Sequence, residues 1–318
     1  MTKSVWPKDS RVIADADLQA LSEECLPEFN RIIQQQAIDG DLQSQLRDIY
    51  LPLAAWIENK HVGRPLVFGI NGAQGSGKST LSQILQMLLA KHFNKSVVVL
   101  SIDDFYLSRQ SRIELAQKIH PLFRTRGVPG THDVALIEKT ISNLVMDKFP
   151  VKMPVFDKAT DDLLAKENWC TIDKPVDIIL FEGWCVGAHA QAQDDLEVAV
   201  NELESQEDSE CIWREYVNGQ LQKSYQLLFD KIDYLVMLKV PGMNSVWEWR
   251  SLQEAKLAQQ GTRKDRVSSQ LMTTKQLNHF IMHFERLTKA MLLEMPNRAD
   301  VVLELNTRHQ IETIHLNL

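Results

Sequence analysis

The stretch Leu66-Val67-Phe68-Gly69-Ile70-Asn71-Gly72-Ala73-Gln74-Gly75-Ser76-Gly77-Lys78-Ser79-Thr80 runs from an apolar segment through a glycine-rich one into SQILQMLLAKHF (82–93), which has helical periodicity. Residues 72–79 match GxxxxGK[ST] at every fixed position, between a predicted strand and a predicted helix, the context this motif requires. The glycines let backbone N–H groups turn inward around phosphate oxygens, and the following helix presents its positive dipole end to the same charge. Gly72, Ala73, Gln74, Gly75, Ser76, Gly77, Lys78, Ser79 and the adjoining Thr80 are therefore expected to hold ATP. Lys78 would reach the β- and γ-phosphates, and the Ser79 hydroxyl would ligate Mg²⁺.

Outward from this loop, Val97-Val98-Val99-Leu100 is uniformly apolar and predicts a parallel strand covered on both faces. Residues 176–181 (VDIILF), 232–240 (IDYLVMLKV) and 301–305 read as further strands, with helical patterns between them. Leu277, Phe280, Ile281, Phe284, Leu287 and Met291 form one helical stripe within 272–295, closed by Pro296. Residues 1–60 read as helices alone. The alternation predicts an α/β, three-layer fold of the P-loop NTPase type: a parallel sheet with helices on both faces and an N-terminal helical extension (1–60) before the main domain (61–318). The segment 187–210 is acidic and poor in apolar periodicity, and is expected to be an exposed insertion.

The 318 residues include 44% apolar and 24% charged, near globular averages, which excludes wholesale disorder and fibrous repeats. A net charge of −7 argues against a general nucleic-acid binder. The N-terminal residues lack an apolar leader core and no run is long enough to span a membrane, so a cytoplasmic location is expected. Cys25, Cys170, Cys185 and Cys211 are scattered without a CxxC pair, as reduced thiols would be.

Ligands of open parallel sheets bind beyond the carboxyl ends of the strands. Asp103 and Asp104 stand at such an end, and phosphoryl transfer to a hydroxyl needs one carboxylate to take its proton and others to hold Mg²⁺. Side chains of an extended segment alternate, so one of the two aspartates is expected to face the γ-phosphate and the other to cap a turn. Glu182, after 176–181, is the acid expected beside the phosphate loop, acting on the metal's water shell or on the acceptor; Ser79, Asp103 and Glu182 are the candidate metal residues.

These features, with Ser-Ile-Asp-Asp-Phe-Tyr (101–106), Arg-Gly-Val-Pro-Gly-Thr-His-Asp (126–133), Phe-Asp-Lys (156–158), Phe-Glu-Gly-Trp (181–184) and Val-Trp-Glu-Trp-Arg (246–250), resemble the P-loop kinases that include phosphoribulokinase, uridine kinase and pantothenate kinase. The ordered set spans about residues 50–305 and is most similar to the D-glycerate 3-kinases and related fungal and bacterial kinase-like proteins. The resemblance implies that Asp103 is the general base and Asp104 an auxiliary acid. It further implies that the acceptor is bound by Tyr106, by Arg124, Arg126 and His132 of a cationic loop, and by Asp157 and Lys158. Residues 243–266 resemble a lid, whose Arg250 would stabilise the migrating phosphoryl group; the alternative for that segment is a charged surface helix. Trp247 and Trp249 are expected to pack, not to stack on a base. After Phe-Asp-Lys the chain departs from the family pattern, with Ala159-Thr160-Asp161-Asp162-Leu163 in place of a glycine-rich segment carrying Asp-Arg.

The expected activity is thus ATP-dependent phosphorylation of a small anionic metabolite, D-glycerate foremost, with no nucleic-acid or membrane partner. Two alternatives stay open: a nucleoside- or pantothenate-type kinase, and an ATP-binding regulator whose turnover no acceptor stimulates. A guanine-reading NKxD sequence is absent from the chain.

Overall fold

The structure, a computed structural model, describes residues 6–7, 12–36, 42–261 and 272–317, with the helical backbone alone given for 256–261. Six strands form the central sheet: β1 (Leu66–Gly72), β2 (Val97–Ser101), β3 (Ile178–Gly183), β4 (Tyr234–Lys239), β5 (Val301–Leu305) and β6 (Ile311–Leu316). Their order is β6-β5-β4-β1-β3-β2, parallel except for the antiparallel β6. The central β1 is buried at every residue, because helices cover both faces. β2 corrects the expectation of two covered faces: it is the edge strand, and only its alternate residues Val98 and Leu100 are buried. The hairpin partner β6 and two short ladders, Val151–Met153 with Cys170–Ile172 and Phe156–Asp157 with Asp162–Leu163, lack a clear alternating pattern and were not expected.

The helices are α1 (Asp15–Gln35), α2 (43–60, with a π turn at Leu46–Tyr50), α3 (Lys78–His92), α4 (Arg109–Lys118), α5 (Val134–Val145), α6 (Glu202–Glu207), α7 (212–229), α8 (Met243–Gly261) and α9 (Thr274–Glu294). Phe29 of α1 and Leu53, Trp56 and Ile57 of α2 share one core with Phe68 and Ile70 of β1, so the N-terminal helices are built into the sheet's packing. A capping box between Thr273 and Gln276 starts α9. Its stripe packs on the opposite face of the sheet with Val67, Phe181 and Met237.

The segment 187–210 is largely exposed, as expected, but it is not merely a solvated insertion: it carries the helix α6 and two buried acids. Glu204 is fully buried and accepts two hydrogen bonds from Arg286 (2.8 and 2.7 Å), while buried Asp208 pairs with Arg214 (3.1 Å). These two acids are its internal anchors, one held by an arginine 82 residues on and the other by one six residues on; Asp194, Asp195, Glu197, Glu202, Glu207 and Glu210 are exposed, as the acidic composition suggested. Among the described residues no helix is long and apolar enough to cross a membrane.

Candidate active site

The phosphate loop leaves β1 and enters α3 through Gly77, whose φ of 95° lies in the left-handed region. An added Cβ there would meet nothing within 4 Å, so the demand for glycine is set by the backbone and not by space. Lys78 folds back and donates from Nζ to Ala73 O (3.2 Å). Burial lowers its pKa, opposed by the charges of Glu182 and Asp103. Ser79 Oγ donates to Glu182 Oε1 (3.2 Å), which joins the loop to β3. Gln74 Oε1 and Ser76 Oγ are buried without a hydrogen-bond partner among the described residues. Behind the loop, His309 Nε2 lies 2.8 Å from Gly75 O, and the buried Trp249 stacks on the His309 ring at 3.6 Å. Trp249 therefore packs, as expected, whereas Trp247 is partly exposed and bonds Asn278.

A cleft of about 680 Å³ opens over this loop; Gln74, Gly75, Lys78 and Ser79 form its floor, and Glu182 lines it beside them. Asp103, Asp104, Tyr106, Arg126 and Lys158 line it as well, with Asp103 near enough to Lys78 for their charges to interact. Asp103 and Asp104 belong to a 3₁₀ turn (Ile102–Phe105), not to an extended segment, so both reach the cleft and the expectation that they face apart is corrected. Asp103 Oδ2 accepts from Lys158 Nζ (2.9 Å) and Oδ1 from Tyr106 OH (2.7 Å). Burial pushes the Asp103 carboxyl up, but the charge and hydrogen bond of Lys158, with Tyr106 and Lys78, outweigh it and hold the group at about 2. Asp104 is shifted the other way: burial raises it, partly offset by a hydrogen bond from the Phe156 backbone N–H at 3.2 Å.

The expected cationic cluster is corrected. Arg124 is exposed and outside the cleft lining. His132 is buried, and burial lowers its pKa to about 4, so the ring is neutral at physiological pH. It stacks on Tyr106 at 4.6 Å and meets Tyr225 OH at Nδ1 (2.6 Å). Asp157 likewise stays out of the cleft: its carboxylate accepts from Ala159 N (2.9 Å) and Thr160 Oγ1 (2.8 Å), closing its own turn. Of the cations expected to bind the acceptor, Arg126 and Lys158 do line the cleft. Arg126 is paired with Asp161, which also takes Arg112 at 2.9 Å, so the segment that departs from the family pattern supplies the resting partner of a cleft arginine. Gly127 turns the loop here at φ 132°, and any Cβ would lie 2.4 Å from the Phe284 ring.

Arg250 of α8 lines the cleft, ion-paired with Glu254 one turn on and 5.8 Å from the Phe280 ring. The expected lid continues to residue 266; Lys256 as a side chain and Thr262, Arg263 and Lys264 lie outside the described residues. Sequence reasoning missed Gln35, Gln36, Ser101, Gln253, Phe280 and Phe284 as cleft residues. The two phenylalanines sit in the α9 stripe, whose periodicity is that of any core helix, and the glutamines carry no pattern at all.

The donor set suits Mg²⁺ more than a softer ion: a hydroxyl and a carboxylate in contact, Ser79 and Glu182, with Asp103 and Asp104 along the same cleft. Among the described residues no group of three or more His, Cys, Asp or Glu is placed to hold a metal.

Residues 47–153 match the family model of the KAP family P-loop domain. The chain is 37% identical over 204 residues to the uncharacterized kinase mug58 of Schizosaccharomyces pombe, covering 61% of this chain and 72% of that one. It is 28% identical over 270 residues to the chloroplastic D-glycerate 3-kinase of Arabidopsis thaliana, covering 79% of this chain and 55% of that longer one. A solved D-glycerate 3-kinase from Cryptococcus neoformans superposes with a TM-score of 0.65 at 23% identity, across 95% of this chain and 99% of that one, which establishes the common fold. The phosphate loop, the cleft above it and the extent of these similarities lead to one conclusion: the chain belongs to the P-loop kinase family and is an ATP-dependent phosphotransferase.

Proposed function

We propose that this kinase transfers the γ-phosphoryl group of ATP to a hydroxyl of a small anionic acceptor, with D-glycerate as that acceptor, and that Asp103 is the general base. The observation that carries the reading is the 2.9 Å pair between Lys158 and Asp103 in the cleft. Lys158 and Arg126 are cations held by resting carboxylates, Asp103 and Asp161, and each can exchange that partner for the carboxylate of an incoming acid. Once Lys158 turns to the acceptor, Asp103 loses the strongest influence holding it near 2 and becomes a better base. The name of the Arabidopsis relative points to the same acceptor.

In the proposed mechanism the loop amides and Lys78 hold the ATP phosphates. Ser79 and Glu182 would hold Mg²⁺, which supplies charge neutralisation at the phosphate oxygens. Asp103 takes the proton of the acceptor hydroxyl as that oxygen bonds to the γ-phosphorus and the bond to the β,γ-bridging oxygen breaks, releasing ADP. Asp104, less acidic, orients the acceptor. Arg250 leaves Glu254 for the migrating phosphoryl group, so that most of the catalysis is positioning and electrostatics.

An ADP-release assay with Mg·ATP and a panel of hydroxy acids, sugars, nucleosides and pantothenate tests this, with Lys78→Ala as the blank. D-glycerate is expected to stimulate turnover strongly, and Lys78→Ala to lower it by roughly 10³-fold. Turnover that no acceptor stimulates, by a protein that still binds ATP, would overturn the acceptor reading, and near-normal turnover by Asp103→Asn would overturn the assignment of the base.

A further inference from the structure

The N-terminal helix α1 packs along α3, the helix that starts at the phosphate loop. Cys25 Sγ lies 2.8 Å from His92 Nε2, and eleven residues later Gln36 Nε2 donates to Gln83 Oε1 at 3.0 Å. Numbers rise along α1 as they fall along α3, so the two helices are antiparallel. The C-terminal end of α1 therefore arrives where α3 begins, at the mouth of the phosphate loop. There Gln35 and Gln36 line the same cleft as Lys78 and Ser79.

The charged walls of that cleft already have parts to play. Lys78 and Ser79 face the phosphates, and the charged groups Asp103, Asp104, Arg126 and Lys158 suit the acceptor. ATP must also seat a neutral ribose and base on the other side of the phosphates from the acceptor. Of the aromatic lining, Trp184 and Phe284 lie against Gly127 beside Arg126, on the acceptor side; the loop and α1 contribute the neutral amides Gln35, Gln36 and Gln74. A primary amide offers two donors and an acceptor, which suits the hydroxyls of a ribose and the mixed donor and acceptor edge of a purine.

We infer that the end of α1 forms the nucleoside wall of the ATP site, with Gln35 and Gln36 contacting the ribose and base. The inference rests on the ATP-binding reading of the loop. It gives the N-terminal helices a part in substrate binding beyond their share of the core.

The test compares ATP with inorganic tripolyphosphate, both with Mg²⁺, by calorimetric titration of the full chain and of the Gln35→Ala/Gln36→Ala double variant. The variant is expected to bind ATP about tenfold more weakly, the scale of two neutral hydrogen bonds, and to bind tripolyphosphate within twofold of the parent. Both glutamines are exposed, so thermal unfolding should be unchanged and serves as the check on folding. Unchanged ATP affinity would overturn the inference. Equal weakening of both ligands would also overturn it, since α1 would then merely brace the loop. A parent chain that binds tripolyphosphate but gains nothing from the nucleoside would sink the ATP reading itself, separately from the variant's behaviour.

Discussion

Replacing Lys158 with Met tests the electrostatics of the site most directly. Lys158 Nζ is 2.9 Å from Asp103 Oδ2, and it is the strongest influence holding that carboxyl at about 2 against an ordinary value of 3.8. With Lys158 gone, burial is left to compete with one hydrogen bond from Tyr106 and the charge of Lys78, so Asp103 should titrate at about 4 or above. The gap between about 2 and 3.8 corresponds to about 2.4 kcal/mol of folded-state stability at neutral pH, at about 1.36 kcal/mol per pH unit. The Lys158 side chain is 63% exposed, so screening reduces its net share to about 1 kcal/mol. Because the folded value is depressed, this share is present above about pH 4 and vanishes as pH falls toward about 2 in the parent. Carbon-13 NMR of the aspartate carboxyls across pH 1.5–7 (roughly the span of both values), with urea unfolding at pH near 7, reads both quantities. Steady-state kinetics should show the acceptor KM raised about tenfold or more, with the KM for ATP within about twofold. An Asp103 that still titrates near 2 in Lys158→Met, or a KM for ATP that rises in step with the acceptor's, would refute the pairing and the assignment of Lys158 to the acceptor.

Three further outcomes follow from the same structure. His132 and His283 are buried with pKa values lowered by burial to about 4, so the unfolded chain, titrating at 6.5, binds more protons between those values. Stability should therefore fall as pH falls through that window, by about 2 kcal/mol per histidine from pH near 8 to pH near 5; a flat urea midpoint across that range contradicts it. Glu204→Ala leaves Arg286 buried and unpaired and should cost about 3–5 kcal/mol in chemical unfolding with KM values unchanged. Gly77→Ala meets open space but a left-handed backbone, so about 1–2 kcal/mol of strain should appear as weaker ATP binding, and full parental affinity would show that the loop does not need that conformation.

How much of this was legible in the chain follows from the range of the forces involved. The phosphate loop, the strand before it and the helix after it are local: φ at Gly77 and the start of α3 depend on adjacent residues, so the motif alone determined them. The buried strands and the α9 stripe were legible for the same reason, since continuous apolar runs and a period of 3.6 are written in the chain itself. What depended on distant partners was not. The segment 187–210 is acidic in sequence, and only Arg286, brought in by α9 from 82 residues on, turns Glu204 into a buried anchor. His132 looks cationic until burial against Tyr106 and Tyr225 deprives it of water. Asp103 and Asp104 look alternate until a 3₁₀ turn brings both to the cleft, and only the approach of Lys158, 55 residues on, makes one of them the stronger acid. The chain by itself determined that a nucleotide triphosphate is held. Tertiary packing decided which charges meet around it, because a carboxylate's acidity and an arginine's availability are set by neighbours in space, not in sequence.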